Sequence, residues 1–111
     1  MIALISNPQA YDKQRVSITG YMHLEFEGNC IYLHKDDFTQ HIEKNGLWLE
    51  FKNRAAVDSI YKFSDNYVVI EGVFDSHALG HMSMNSGSIK QITSLEVRYP
   101  DKFNTLNVKH R

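Results

Sequence analysis

Hydrophobic and polar residues alternate along much of the chain, and this period of two is typical of half-buried β-strands. The longest alternation covers residues 15–27, where the even positions are mostly apolar and the odd positions are mostly polar. Gly20 interrupts the apolar face, and a glycine inside a strand is typical of a bend or a bulge. We therefore predict a long first strand whose buried face consists of Val16, Ile18, Met22, Leu24 and Phe26.

Four more segments have the character of strands, and Gly28 and Asn29 supply the turn between the first strand and the second. In the last of these segments Ile89, Ile92 and Leu95 are three positions apart. A strand there requires a β-bulge to bring these residues to one face, and a short helix is the alternative. The four predicted strands cover residues 30–34, 47–51, 67–74 and 88–97.

One segment has the apolar spacing of an α-helix, and Asn53 is a favourable N-cap for it. We predict this helix near residues 54–63. The remaining segments are polar: residues 35–43 precede the third strand, and residues 75–87 form a loop rich in Gly, Ser, His and Met. The helical positions that recur on one face are Ala56, Val57, Ile60 and Tyr61.

The predicted elements follow one another in the order β-β-β-α-β-β. This is the order of the OB-fold, a small and partly open Greek-key β-barrel. An SH3-like barrel is the main alternative, but its strand arrangement does not require a helix between the third and fourth strands. We expect the helix to close one end of the barrel and the core to consist of Val16, Ile18, Met22, Leu24, Leu47, Leu49, Val68, Ile70 and Phe74.

Length and charge restrict the class of protein further. The 111 residues predict a single OB-like domain over residues 1–111, with a polar tail from about residue 100. The 12 Lys and Arg against 13 Asp and Glu lack the basic excess that is typical of nucleic-acid-binding domains. The lone Cys30 cannot form an internal disulfide, and the sequence has neither a membrane-spanning run nor a secretory signal pattern. We expect a cytoplasmic protein with no membrane partner.

Candidate metal ligands lack the neighbours that a site needs. His77 and His81 have the spacing of zinc ligands on a helix, but no cysteine or glutamate nearby completes a site. We expect His23 and His34 to face each other across the first hairpin, where Glu25 could join them as a ligand. Solvated side chains are the simpler interpretation, and we predict that the protein binds no metal and needs no cofactor.

Catalytic chemistry has little support in the sequence. Cys30 at the start of a strand is typical of a small buried thiol, and the Ser-Gly-Ser stretch at 86–88 lacks the context of a nucleophile elbow. Asp36 and Asp37 follow a strand, where active-site acids can lie, but they equally suit a turn or a helix N-cap. We therefore predict that the protein is not an enzyme.

Several short segments of the chain form a recognisable set. They are Asn7-Pro8 with Tyr11, Val16-Ser17-Ile18-Thr19-Gly20-Tyr21, Leu24-Glu25-Phe26-Glu27-Gly28-Asn29, Tyr32-Leu33-His34, Lys44-Asn45-Gly46-Leu47-Trp48-Leu49, Gly80-His81-Met82 and Ser86-Gly87-Ser88. Together these segments resemble a family of small bacterial proteins, uncharacterised OB-like single domains, over residues 4–95. The resemblance implies a bacterial source and assigns no catalytic or binding residue. Bacterial domains of this size include immunity proteins, which neutralise a toxin encoded beside them, an association by size and class alone.

The outward face of the first three strands is the best candidate for a binding surface, because OB-folds commonly hold ligands there. Tyr21, Tyr32 and Trp48 are expected on this face, and exposed aromatic residues are enriched at protein interfaces. Acidic neighbours favour a protein partner with a basic surface, such as a nuclease toxin that the chain neutralises. The predicted partner-binding residues are Tyr21, His23, Glu25, Glu27, Tyr32, His34, Trp48 and Glu50.

Two other interpretations of these aromatic residues remain open. They could stack on the bases of single-stranded nucleic acid, which is the alternative function. Nucleic acid is the less favoured partner, since the local carboxylates would repel its phosphates. A purely structural explanation is that the helix, a terminal segment or the loop at 75–87 covers the aromatic side chains.

Overall fold

The computed structural model describes residues 1–26 and 28–98, and for His81 it describes the backbone alone. Its strands close into a barrel in the order β1-β2-β3-β5-β4. The predicted fold class, a small and mainly β OB-like barrel, is confirmed. The tail predicted from about residue 100 lies outside the described residues. The strands are β1 (Arg15–His23), β2 (Cys30–Tyr32), β3 (Gly46–Leu49), β4 (Asn66–Asp75) and β5 (Ser88–Val97).

Antiparallel pairing joins most neighbouring strands of the barrel. β1 pairs with both β2 and β4, β2 pairs with β3, and β4 pairs with β5. The contact between β3 and β5 closes the barrel and is parallel. It is short, because only Trp48 with Ser88 and Leu49 with Ile89 are in register.

A β-bulge lies in the β4–β5 pair, as the spacing of apolar residues in the fifth strand predicted. The register shifts between Glu71 and Val73, and Gln91 on β5 has a φ of 48°. Gly72 lies opposite the bulge, and a Cβ there would come within 2.7 Å of the Lys90 carbonyl oxygen. Because Gly72 has no side chain, the bulged backbone of β5 can approach β4 closely at this position.

The barrel interior is filled by the inward positions of all five strands. Eight of the nine predicted core residues are buried, and Val16 is partly buried against them. The alternating pattern of β4 is a clear case, since Val68, Ile70 and Phe74 are inaccessible to solvent. The apolar core cluster is Leu4, Ile18, Met22, Leu24, Ile31, Leu47, Leu49, Val68, Ile70, Phe74 and Ile89.

Within residues 1–26 and 28–98, four short α-helices accompany the barrel: α1 (Ile2–Ser6), α2 (Pro8–Tyr11), α3 (Lys35–Thr39) and α4 (Arg54–Ile60). α4 is the predicted helix, and the Asn53 side chain caps it by accepting a hydrogen bond from the Ala56 N–H at 2.9 Å. The sequence did not predict the other three, because helices of four or five residues show no apolar period. In the described ranges, no helix is long and apolar enough to cross a membrane.

Two apolar residues lie on the outside of the protein, contrary to the sequence prediction. β1 ends at His23, and Phe26, which the alternation placed in the core, has 75% of its surface exposed. Tyr61 follows α4 in a 3₁₀ turn and is also exposed, whereas Ile60 packs against the barrel core. Phe26 and Tyr61 line one shallow depression, so the two incorrect assignments concern the same part of the surface.

Candidate functional site

A single side chain of α3 covers the aromatic residues that β1 and β2 direct outward. Tyr21 pairs in register with Tyr32, and Phe38 lies over both, with ring centroids 5.9 Å and 5.6 Å away. Tyr67 also packs on Tyr21, with ring centroids 5.4 Å apart, and the Tyr32 hydroxyl contacts Glu43. Each tyrosine has only 5% of its surface exposed. The expectation that Tyr21 and Tyr32 form an exposed platform is wrong, since α3 was taken for a polar connection.

Trp48 is half-buried, so it is not the freely exposed side chain that the sequence suggested. The loop before β5 lies against its ring: a Cβ at Gly80 would come within 2.9 Å of Trp48 Cε3, and Gly80 has a φ of +78°. Asn85 anchors the same loop, because its side-chain amide donates to the Glu43 carbonyl oxygen at 3.1 Å. The tryptophan thus forms part of a wall that the loop completes.

The predicted histidine pair is not formed. His23 pairs across the hairpin with Cys30, and its ring lies between two carboxylates, 2.6 Å from Asp65 and 2.8 Å from Glu25. It also stacks on Phe38 with centroids 4.2 Å apart. His34 is instead the N-cap of α3. Its backbone N–H donates a hydrogen bond to Asp37 Oδ2 at 2.9 Å, as part of a capping box.

The remaining predicted partner-binding residues are dispersed. Glu25 and Glu50 are exposed, and Glu50 lies 3.8 Å from the Lys90 ammonium. Glu27 lies outside the described residues.

Asp36 and Asp37, for which the sequence allowed an active site, a turn or a helix N-cap, occupy the first turn of α3. Asp37 takes part in the capping box and also accepts a hydrogen bond from the Asn45 side-chain amide.

A groove of about 240 Å³ opens beside the covered aromatics, and we name it the Glu43 groove. Strands β2 and β3 form its floor, and α3 and the loop before β5 form its sides. Three of the segments on which the sequence resemblance rests contribute to it: residues 24–29, 32–34 and 44–49. Its lining residues are Glu25, Gly28, Cys30, Tyr32, Phe38, His41, Glu43, Trp48, Met84 and Asn85.

Two carboxylates, of Glu43 and Glu25, line this groove. The Tyr32 hydroxyl donates a hydrogen bond to Glu43 Oε1 at 2.9 Å. Burial raises the pKa of the Tyr32 phenol, and so does its contact with Cys30, so the phenol remains a donor at neutral pH. Glu25 brings a second carboxylate. Among the residues that line the Glu43 groove, none is Lys or Arg.

Cys30 lies at the floor of the groove but is only 4% exposed. Burial raises the pKa of its thiol to about 12, against the smaller opposing effects of its contact with Tyr32 and of the hydrogen bond that the thiol donates to Asn85 Oδ1. A thiol of this kind stays protonated, whereas nucleophilic attack and metal binding require the thiolate. The Cys30 thiol is therefore not a reactive sulfur at the floor of the groove.

Exposed apolar side chains occur in the same segments that form the groove. Met84 lines it and has 42% of its surface exposed, and Ile42 lies between the lining residues His41 and Glu43. Met82, in the same loop as Met84, is exposed as well, with a φ of 57°. Protein interfaces combine an apolar core, in which Met is enriched, with a polar rim, and this surface offers apolar and charged residues side by side.

Two other clusters lack the character of a site. Asp12, Asp75 and His77 lie close enough together to hold a metal ion. Asp12 Oδ1 already accepts from the Ser76 N–H and hydroxyl, and Asp75 already contacts the Lys90 ammonium at 3.0 Å. His77 therefore lies beside two carboxylates in a turn, and the helical pairing with His81 is not formed, because residues 76–80 are not helical.

A larger cavity of about 480 Å³ lies between the β5 bulge and α4. Two of its three charged side chains have partners: Arg15 donates to Thr93 Oγ1 at 3.0 Å, and Glu50 contacts Lys90. We regard the Glu43 groove as the better candidate, because Glu25, Tyr32 and Trp48 of the predicted binding surface line it.

Sequence reasoning did not select Phe38, His41, Glu43, Met84 or Asn85. These residues lie on α3 and on two connections, where no strand periodicity marks a face. The available signal was compositional: the loop at 75–87 is rich in Met and His, and an aromatic residue stands alone in the polar stretch 35–43. Over its described residues, the chain is a small β-barrel domain with an acidic groove between β2, β3, α3 and the loop before β5. Comparison with protein families, characterised proteins and solved structures finds no match to this chain.

Proposed function

We propose that the protein is a non-enzymatic binding domain that recognises a protein partner with a basic surface. The observation that carries the proposal is the Glu43 groove, where two carboxylates and no Lys or Arg lie among apolar walls. Complementary charge steers the approach of a basic partner, and buried apolar contacts then hold the complex.

Exposed side chains near the groove support a protein rather than a small ligand as the partner. Met84, Ile42 and Phe26 would lose contact with water in a complex, and burial of apolar area stabilises association. Methionine adapts its shape to a partner surface, which suits the position of Met84.

Single-stranded nucleic acid is the alternative partner, and the groove argues against it in two ways. The aromatic rings that could stack on bases are covered, since Tyr21 and Tyr32 lie beneath Phe38. The carboxylates of Glu25 and Glu43 would repel phosphates, and nucleic-acid binding depends on cations along the backbone path.

A specific form of the proposal is that the chain is a bacterial immunity protein for a nuclease-type toxin in the cytoplasm. A nuclease has a basic surface because it must hold nucleic acid, so an acidic groove is its natural complement. The family resemblance implies the bacterial source on which this form depends. A toxin gene directly beside the gene for this chain would support it.

The test begins with capture. The immobilised protein is incubated with a nuclease-treated lysate of the source organism, and the retained protein is identified and purified. We expect a saturable one-to-one complex in solution. The variant Glu25→Lys should slow association and make it less dependent on salt, because rim charges act mainly on encounter.

The matched control is Glu96→Lys, which makes the same charge reversal on β5 outside the groove and should leave association unchanged. A single-stranded oligothymidine is titrated in parallel. If Glu25→Lys leaves the protein complex intact but creates or strengthens oligothymidine binding, the nucleic-acid alternative replaces the proposal. Equal effects of the two lysine variants on the complex would also contradict it.

A further inference from the structure

We propose that the Glu43 groove receives the side chain of one arginine of the partner, an inference that rests on the proposed function and specifies its central contact. The size of the groove is the first argument. Its volume of about 240 Å³ is below the range of about 300–1,000 Å³ that is typical of small-molecule sites. A single long side chain is an occupant of suitable size.

The walls of the groove match the two halves of such a side chain. Trp48, Phe38 and Met84 offer apolar surface against which a methylene stem packs. Glu43, whose contact with the Tyr32 hydroxyl brings no charge, offers carboxylate oxygens to a cationic end, and Glu25, which already contacts His23 at 2.8 Å, adds a second carboxylate. Lysine and arginine combine a stem and a cation in this way, whereas a neutral side chain would bring no opposite charge to Glu43.

Arginine fits the groove better than lysine. A guanidinium is planar, pairs with carboxylates through two parallel N–H bonds and packs on aromatic surfaces, and it is more weakly hydrated than an ammonium. Glu43 is held in place by the Tyr32 hydroxyl at 2.9 Å, so the carboxylate is ordered before the partner arrives. An ordered acceptor loses less freedom on binding, which increases affinity.

Trp48 provides a direct probe, because it is the single tryptophan of the chain and lines the groove. Its indole N–H gives one peak in a two-dimensional ¹H–¹⁵N spectrum. The ligands are acetyl-Gly-Arg-Gly-amide, the lysine analogue and the citrulline analogue. Citrulline has nearly the shape of arginine without its charge, and ionic strength is held constant with sodium chloride.

We expect the arginine peptide to move the indole peak saturably with a dissociation constant on the order of millimolar, the scale of a single good contact. The citrulline peptide should bind at least about tenfold more weakly, since hydrogen bonds to charged groups are stronger than neutral ones. The lysine peptide should bind more weakly than the arginine peptide. Equal binding of the arginine and citrulline peptides, or no shift with the arginine peptide, would overturn the inference.

Glu43→Gln keeps an oxygen that accepts the Tyr32 hydrogen bond but removes the charge. We expect it to weaken the arginine peptide at least about tenfold. Glu96→Gln removes an exposed carboxylate outside the groove and should change nothing. The full spectrum of each variant shows whether it is folded. Wild-type affinity in Glu43→Gln would also overturn the inference.

The peptide titration tests the arginine inference, and the partner capture tests the proposed function, so a negative result in one is distinguishable from a negative result in the other. If the purified partner binds but the arginine peptide does not, only the arginine inference is lost. If the arginine peptide binds and no protein partner forms a saturable complex, the proposed function is lost and the groove remains a cation site.

Discussion

The ring of Phe38 stacks on the ring of His23 with centroids 4.2 Å apart, and the same Phe38 ring contacts Tyr21 and Tyr32. Phe38 lies on α3, a helix of five residues that follows a capping box between His34 and Asp37. This short helix therefore contributes to the cover over the aromatic face of β1 and β2, and the Glu43 groove opens beside it.

Removing this cover should destabilise the protein. We expect Phe38→Ala to lower the free energy of unfolding by about 1–3 kcal/mol, less than for a fully buried phenylalanine, because the side chain is half-buried. Urea denaturation measures the change, and Phe38→Leu should retain most of the stability. A loss below about 0.5 kcal/mol for Phe38→Ala would show that α3 does not hold the face covered.

The barrel core gives a second prediction. Leu24 and Ile70 are almost inaccessible to solvent, so truncation of either to alanine should cost about 2–5 kcal/mol of unfolding free energy. Ile2→Ala is the matched control, because Ile2 is largely exposed and its truncation should change stability by less than about 0.5 kcal/mol. A small effect at Leu24 or Ile70 would mean that the strand register is wrong by one residue.

Acid sensitivity should depend on Asp12 and Asp75. The Ser76 backbone N–H, followed by the Ser76 hydroxyl, lowers the pKa of Asp12, and the His77 backbone N–H, followed by Lys90, lowers the pKa of Asp75. In the unfolded chain both carboxyls protonate at higher pH, so the stabilisation is complete above the ordinary pKa of about 3.9 and is lost as the pH falls toward the lower folded values.

Asp12→Asn tests this dependence through urea denaturation across the acidic range. The variant should be less stable than the wild type near neutral pH and should lose less stability on acidification. Glu96→Gln, which removes an exposed carboxylate, serves as the control and should follow the wild type. An identical acid dependence in Asp12→Asn and the wild type would contradict the assignment.

Cys30 should be unreactive in the folded protein. Its thiol is buried and has a pKa raised to about 12 by that burial, so little thiolate exists at mildly alkaline pH. We expect a colorimetric disulfide reagent to react at once in denaturant and, in native buffer, only as fast as the protein opens. Immediate reaction of the native protein would show that the groove floor is accessible, and Cys30→Ser controls for background.

Metal binding is predicted to be absent. Protein purified without nickel resin should contain no stoichiometric zinc, and a chelator should leave the melting temperature unchanged. The oxygen atoms of Asp12 and Asp75 already accept hydrogen bonds from Ser76 and His77, which lowers their availability as ligands. A chelator-induced fall of several degrees would direct attention to these carboxylates and His77.

Periodicity predicted the barrel because its elements are long enough to repeat. β4 alternates over ten residues, and its inward side chains could be identified from the sequence. The prediction failed where a single contact between distant segments decides the outcome. Nothing local to Tyr21 indicates that Phe38 covers it, and the alternation of β1 continues in sequence to Phe26 although the strand ends at His23.

The candidate site was therefore predicted only in part. Glu25, Tyr32 and Trp48 were selected as outward strand residues, and all three line the groove. Glu43 and Met84 belong to connections, whose positions depend on tertiary hydrogen bonds such as that of the Asn85 amide with the Glu43 carbonyl. Contacts of this kind have no signature in a single sequence.

The parallel pairing of β3 and β5 has a consequence for the kinetics of binding. Two backbone hydrogen bonds of 2.9 Å join these strands, from the Trp48 N–H to the Gly87 carbonyl oxygen and from the Glu50 N–H to the Ile89 carbonyl oxygen. With two residue pairs in register, this strand pairing is the shortest among the described residues of the barrel. Because so few residues pair here, we expect this pairing to open more readily than the longer pairings of β4 in native-state fluctuations. The groove lies across this pairing, with Trp48 on one side and Met84 on the other. We expect a ligand that contacts both sides to oppose the opening of the pairing. The dissociation rate of that ligand would then depend on how often the pairing opens.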